Sequence, residues 1–202
     1  MTSTKPLIIQ LIGQARAGKD FTSIELVNYF KELGVTAEVK SYAAPMKRIA
    51  ASLFGISLEQ LDDFKNRPTE AGIQVYDDGN VHSALIEFSF RTFLQRLGND
   101  SVKPEFGNSV WADLLRQEIS KSAADVIIIS DCRFMVEVEA FPEAVTIRVL
   151  NNNLPPPMNH ASELELIDLL TTYTLDNTDY SKTLSSISKL ANQISKDHIC
   201  NF

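Results

Sequence analysis

Gly13, Gly18 and Lys19 stand in the pattern G-x-x-x-x-G-K within LIGQARAGKDF, residues 11–21. Glycines let a chain curl so that successive N–H groups turn inward as an anion nest, and the lysine adds a full charge for β- and γ-phosphates. The next position, where a Ser or Thr hydroxyl would hold magnesium, is Asp20. A carboxylate beside a triphosphate is repelled unless a cation lies between them. Asp20 therefore has two readings. It accepts magnesium-bound waters or places a proton or a lysine, or it is simply a favourable first-turn residue at the positive end of a helix. Thr22 and Ser23 carry the next hydroxyls but lie further along that helix.

A second constellation is VIIISDCRF, residues 126–134. An acid just past a buried apolar strand is placed to hold magnesium through water, which makes Asp131 the candidate, and Arg133 has the fork geometry to clamp a phosphate. The alternative is a solvated Asp and Arg at a strand end. A third set is basic. Lys47 and Arg48 follow the second expected strand, and Arg91 and Gln95 share a helix face at i, i+4 spacing, with Arg96 beside them. A second anionic substrate needs such groups, although any one of them reads equally well as a surface charge. Trp111 and Phe106 have the rings to stack on a base or to fill a core. His160 is either a core or loop histidine or a site residue.

These residues need a scaffold. LIIQLI (residues 7–12), VIIIS (126–130) and VTIRVL (145–150) are short, nearly continuous apolar runs, as expected of parallel strands covered on both faces. The spacing of Phe21, Ile24, Val27, Phe30 and Leu33 predicts a helix over 19–33, with Gly34 as its C-terminal cap. VTAEVKSY (35–42) alternates as a second strand, and Pro45 opens a helix to about Phe54. SLEQ (57–60) forms a capping box for a further helix. VYDDGNVH carries an Asp-Gly turn between β-prone pieces. Helices are expected near 83–97, 109–122, 162–170 and 181–196, with a short strand near 173–176 and a surface loop over NNNLPPPMNH. Strands alternating with helices imply an α/β fold, a mostly parallel sheet with helices on both faces.

The chain has 202 residues, is 44% hydrophobic and carries a formal net charge of -7, the composition of an ordinary globular protein taken as one domain. That charge argues against a general nucleic-acid partner, and no run approaches the length of a membrane span. MTSTKPLIIQLIG reads as a first strand because a signal peptide needs a longer apolar core. Cys132 and Cys200 have neither metal-ligand nor disulfide spacing, so a reducing cytoplasm is the expected compartment.

The order GQARAGKDF, APMKRIAASLFG, FRTFLQRLGNDSVKPEFGNSVWADLL, ISDCRF, HASE and LDN resembles the phage-type deoxynucleoside monophosphate kinases, from about residue 7 to 195. Their most specific marks here are G-K-D in place of G-K-[ST], the LQRLG…FG…W block and ISDCRF. The resemblance implies a three-layer P-loop kinase fold like that of adenylate kinase, with a five-stranded sheet. It also implies a substrate-binding insertion at about 43–122 and a lid-like loop at about 151–165. The implied reaction passes the γ-phosphoryl of ATP to a deoxynucleoside monophosphate with Mg2+, in the host cytoplasm if the chain is phage-encoded. A homodimer is compatible with this.

Carried onto this chain, the ATP site comprises Gly13, Ala15, Gly18, Lys19, Asp20 and Phe21. The acceptor site comprises Lys47, Arg48, Arg91, Gln95, Trp111 and Arg133, and Asp20 and Asp131 attend the metal. Lys19, Asp20, Arg16, Asp131 and Arg133 carry the chemistry. His160 to Glu163 falls in the lid, yet residues 151–165 contain no arginine, so Arg16, Arg133 or a neighbour must neutralise the transferring phosphate. G-K-D-F and S-D-x-R also resemble animal-type phosphomevalonate kinase; the LQRLG…FG…W block favours the nucleotide kinase. A nucleotide-binding switch that transfers nothing is the rival from another class, and a switch has no use for a second phosphate pocket.

Overall fold

The computed structural model describes residues 5–64, 69–77, 80–156 and 164–199. The chain divides into two compact units, Met1–Tyr42 with Trp111–Phe202, and Ala43–Val110.

The first unit is built on five strands: β1 (Leu7–Ile12), β2 (Ala37–Lys40), β5 (Val126–Cys132), β6 (Val145–Leu150) and β7 (Tyr173–Asp176). They form an all-parallel sheet in the order β2-β5-β1-β6-β7. The apolar runs are continuous because both faces are covered. Along β5, Val126 and Ile128 join a core with Leu26, Val27 and Phe30 of α1 (Lys19–Glu32) and Ile187, Ala191 and Ile194 of α8 (Tyr180–Ile194). Ile127 and Ile129 face the other way, onto Ala112, Leu115 and Ile119 of α6 (Val110–Ile119) and Ala140 after α7 (Met135–Glu139). This is a three-layer α/β architecture, consistent with a P-loop-kinase-like fold.

The second unit has its own core of Ala50, Ala51, Leu61, Phe90 and Leu94, with Phe54 edge-on to Phe90 and Phe93. These side chains come from α2 (Ala44–Phe54), α3 (Leu58–Phe64) and α4 (Phe90–Gln95). The capping box forms: Ser57 N donates to Gln60 Oε1 at 2.9 Å, and Gln60 N to Ser57 Oγ at 3.1 Å. An antiparallel hairpin joins β3 (Thr69–Asp77) and β4 (Asn80–Phe88), with Asp77 opposite Asn80. The expected Asp-Gly turn at 78–79 lies outside the described residues.

Three local expectations change. Residues 83–88 belong to β4 rather than to a helix, because pairing with β3 satisfies their backbone; the helix begins only at Phe90, where the Ser89 side chain accepts from Thr92 N. After α4 the chain runs in a π-helical stretch, Arg96–Val102, and a single α-turn, α5 (Lys103–Phe106). In the segment expected to be helical at 162–170, residues 165–168 make turns, with Ile167 N bonded to Leu164 O and Leu169 N to Leu166 O. Among the described residues no helix is long and apolar enough to cross a membrane.

Candidate active site

In open parallel sheets ligands bind beyond the carboxyl ends of the strands, and β1 delivers Gly13 there. Gly13 has φ 153°, and a β-carbon on it would overlap the carbonyl oxygen of Val149 on β6. The loop closes with Ala17 N bonded to Gln14 O at 3.1 Å and ends on Gly18, which caps α1 at φ 97° and ψ 20°. Gly18 offers no side-chain acceptor, so the first-turn N–H groups of α1 and its positive end are directed at whatever the loop holds.

Lys19 is 7% exposed. Its ammonium folds back into the loop and donates to Gly13 O at 2.7 Å and Gln14 O at 2.9 Å. Charge and nest are thereby assembled in one place. Arg16 has φ 68°, a left-handed conformation that costs a non-glycine residue about 1–2 kcal/mol, and its side chain is exposed. Asp20 is exposed in the first turn of α1. Neither later hydroxyl is presented as a substitute for the missing Ser or Thr. Ser23 Oγ is bonded to Asp20 O at 2.7 Å, and Thr22 is fully buried with its hydroxyl unpartnered.

The end of β5 lies beside this loop. Ile129 pairs with Gln10 and Cys132 with Ile12, so three steps on β5 match two on β1. This bulge breaks the alternation and returns Cys132 to the face of Ile127 and Ile129. Burial pushes the Cys132 thiol well above the usual thiol range; the carboxylates of Glu137 and Asp131 add to the rise and the Lys19 ammonium opposes it. Lys19, Asp131 and Glu137 thus share one electrostatic neighbourhood.

Asp131 already has structural work. Its Oδ2 accepts from Ser41 Oγ at 2.7 Å and its Oδ1 from Tyr42 N at 2.8 Å, which fixes the chain leaving β2. Arg133 follows in a short link whose shape is set by Glu137. That carboxylate is buried and accepts from Arg133 N at 2.7 Å and Phe134 N at 3.0 Å. The Glu137 carbonyl in turn accepts from Tyr42 Oη at 2.7 Å and Gln10 Nε2 at 2.9 Å, tying β1 and α7 to the chain just after β2.

The third set lies in two places. Trp111 belongs to the first unit and is 4% exposed. Lys47, Arg48, Arg91 and Gln95 belong to the second unit, where Arg48, Arg91 and Gln95 are exposed and Lys47 pairs with Asp62 at 2.7 Å. Phe106 is 70% exposed. His160 and Glu163 lie outside the described residues. The described start of the lid-like loop meets the phosphate loop, where Gln14 Nε2 donates to Pro155 O at 2.7 Å. Arg148 is committed elsewhere, donating to Leu166 O at 2.8 Å and Leu169 O at 2.6 Å. Burial lowers its pKa, and Asp168 opposes that fall.

Sequence reasoning missed Asn177, Thr183, Gln14 and Glu137. Asn177 carried a signal as a polar residue directly after a buried strand. Glu137 carried one as an acid four residues after Arg133 at a helix start. Gln14 and Thr183 had none.

The fold and loop define the class, an α/β protein compatible with P-loop nucleotide binding. No protein-family model matches the chain and no curated protein does. A solved structure, TT1252 from Thermus thermophilus, is similar at 16% identity with a TM-score of 0.49, covering 94% of this chain and 98% of that one.

Proposed function

We propose that this chain transfers the γ-phosphoryl group of ATP to a deoxynucleoside monophosphate, giving the diphosphate and ADP. The observation that carries the reading is the phosphate loop itself, with buried Lys19 folded inside it and the Asp131–Arg133 strand end at its flank. The choice of acceptor rests on the LQRLG…FG…W block of the sequence.

In-line transfer forms a bond from an acceptor phosphate oxygen to the γ-phosphorus and breaks its bond to the β–γ bridging oxygen. Little covalent work falls to the protein, so rate comes from positioning and neutralised charge. Lys19 and the loop amides hold the β- and γ-phosphates. Arg16 and Arg133 screen the two anions as they approach. Ala15 and Phe21 belong to the ATP side, and Lys47, Arg48, Arg91, Gln95 and Trp111 to the acceptor side.

Asp20 and Asp131 fit a magnesium ion, because both supply hard carboxylate oxygens. Asp20 is exposed, while both Asp131 oxygens accept hydrogen bonds from the protein, so Asp131 suits contact through water. A bound magnesium ion would offset charge on the β- and γ-phosphates. Among the described residues no group of three or more His, Cys, Asp or Glu converges on one point.

ADP release measured with dAMP, dGMP, dCMP, dTMP and phosphomevalonate tests the reading. Acceleration by one or more of the nucleotides is expected. Acceleration by phosphomevalonate alone would reassign the acceptor. ATP binding without transfer to any of them would make the chain a nucleotide-binding module.

A further inference from the structure

Asn177 is the first residue after β7 and is 9% exposed. Its Nδ2 donates to Ala17 O at 2.7 Å, across 160 positions of sequence. Its Oδ1 accepts from Thr183 Oγ1 on α8 at 2.6 Å, and its own N–H bonds Leu150 O at 2.8 Å. The amide orientation is therefore determined: turning it over would set Oδ1 against the Ala17 carbonyl, acceptor against acceptor. A β-carbon on Gly18 would overlap this same Nδ2. Asn177 thus touches both residues of the last peptide before α1.

We propose that Asn177, held by Thr183, is a positioning residue for the phosphate loop, an inference that rests on the ATP-dependent reading above. The Ala17–Gly18 peptide is planar, so a bond that fixes the Ala17 carbonyl also turns the Gly18 N–H to the opposite side, away from Asn177. That N–H leads into the α1 end where the loop's donors converge. Asn177 acts through the backbone and touches no phosphate. The clamp ties the loop after β7 to the shape of the ATP site, and its loss should weaken polyphosphate binding rather than acceptor binding.

Calorimetric titration of the full chain with ATP, and separately with a deoxynucleoside monophosphate, tests this in Asn177→Asp, Asn177→Ala, Thr183→Val and Thr183→Ser. Asn177→Asp puts an acceptor against Ala17 O and should raise the ATP Kd about 10-fold, with the monophosphate Kd within about twofold of wild type. Thr183→Val should weaken ATP about threefold and Thr183→Ser should restore it, a pair that serves even where Asn177→Ala fails to fold. ATP affinity within twofold of wild type in Asn177→Asp and Thr183→Val would overturn the proposal. So would equal loss for both ligands with no recovery in Thr183→Ser, the mark of a general structural role. Wild-type protein that binds ATP yet phosphorylates no monophosphate would sink the kinase reading alone, because the ATP titrations still report on the clamp. Wild-type protein that binds no ATP would overturn both.

Discussion

Arg16 stands in the middle of the phosphate loop with a left-handed backbone and an exposed guanidinium. Such strain persists where the surroundings over-determine it, and it clusters at functional sites. Arg16→Gly removes the strain and the charge together, with opposite consequences. Thermal unfolding should show stability unchanged or raised by up to about 1 kcal/mol, since relief of strain offsets glycine's entropy. Phosphoryl transfer should fall at least about tenfold if Arg16 screens the transferring phosphate; equal activity would confine it to the turn. Asp20→Ser restores the usual magnesium-holding hydroxyl and should keep much of the activity if the carboxylate serves only the metal, whereas a fall to background would assign it a role of its own. At this scale the sequence made Gly13, Gly18 and Lys19 legible as a strand-to-helix loop, because they follow a strongly patterned strand at fixed spacing; Asp131, expected just past a strand, lies within the last residues of β5. Asn177 and Thr183 were not legible as loop supports, since Ala17 is 160 positions from Asn177 and only the closed sheet brings them together.

Among the elements, α1 and β5 carry the site. α1 starts where Gly18 alone can take the left-handed turn and pass Asn177, so Gly18→Ala meets both strain and overlap. It should lower stability by about 1–3 kcal/mol in denaturant unfolding and weaken ATP binding. β5 ends in a bulge that carries Asp131, and Asp131 holds Ser41 and Tyr42 as well as serving the proposed metal. Asp131→Ala leaves Tyr42 N and the Ser41 hydroxyl without this acceptor. It should cost about 1–3 kcal/mol of stability in addition to activity, so both must be measured on the same preparation. The strongly periodic elements were readable because burial on two faces leaves continuous apolar runs. Residues 83–88 were misread because SALIEF is rich in helix formers, and only the partner strand β3, out of view in a local window, decides the matter. The π-helical stretch at Arg96–Val102 left no periodic trace to read.

Across the whole molecule, the chain divides into two compact units, one holding the phosphate loop and the other Lys47, Arg48, Arg91 and Gln95. Cys132 offers a probe of the first unit, being 1% exposed at the end of β5 with its thiol pushed up by burial. In a Cys200→Ser background, thiol labelling at pH 8 should be slow under native conditions and should accelerate with the unfolding transition in denaturant. If ATP binds the native state alone, saturating it at 100 times its Kd should slow that labelling by about 100-fold in the regime where opening and closing are fast relative to labelling, corresponding to about 2.7 kcal/mol. Rapid native labelling would contradict the burial, and an undiminished rate with ATP would contradict binding beside β5.

Whether the chain transfers phosphate is decided by following the γ-phosphoryl group. ATP labelled at the γ-position is incubated with each deoxynucleoside monophosphate and with wild-type or Lys19→Ala protein, and the nucleotides are separated. Label is expected in a deoxynucleoside diphosphate with wild-type protein, with a loss of about 100-fold or more in Lys19→Ala. No labelled diphosphate with any of the four, or equal transfer by the Lys19→Ala protein, would contradict the proposed function.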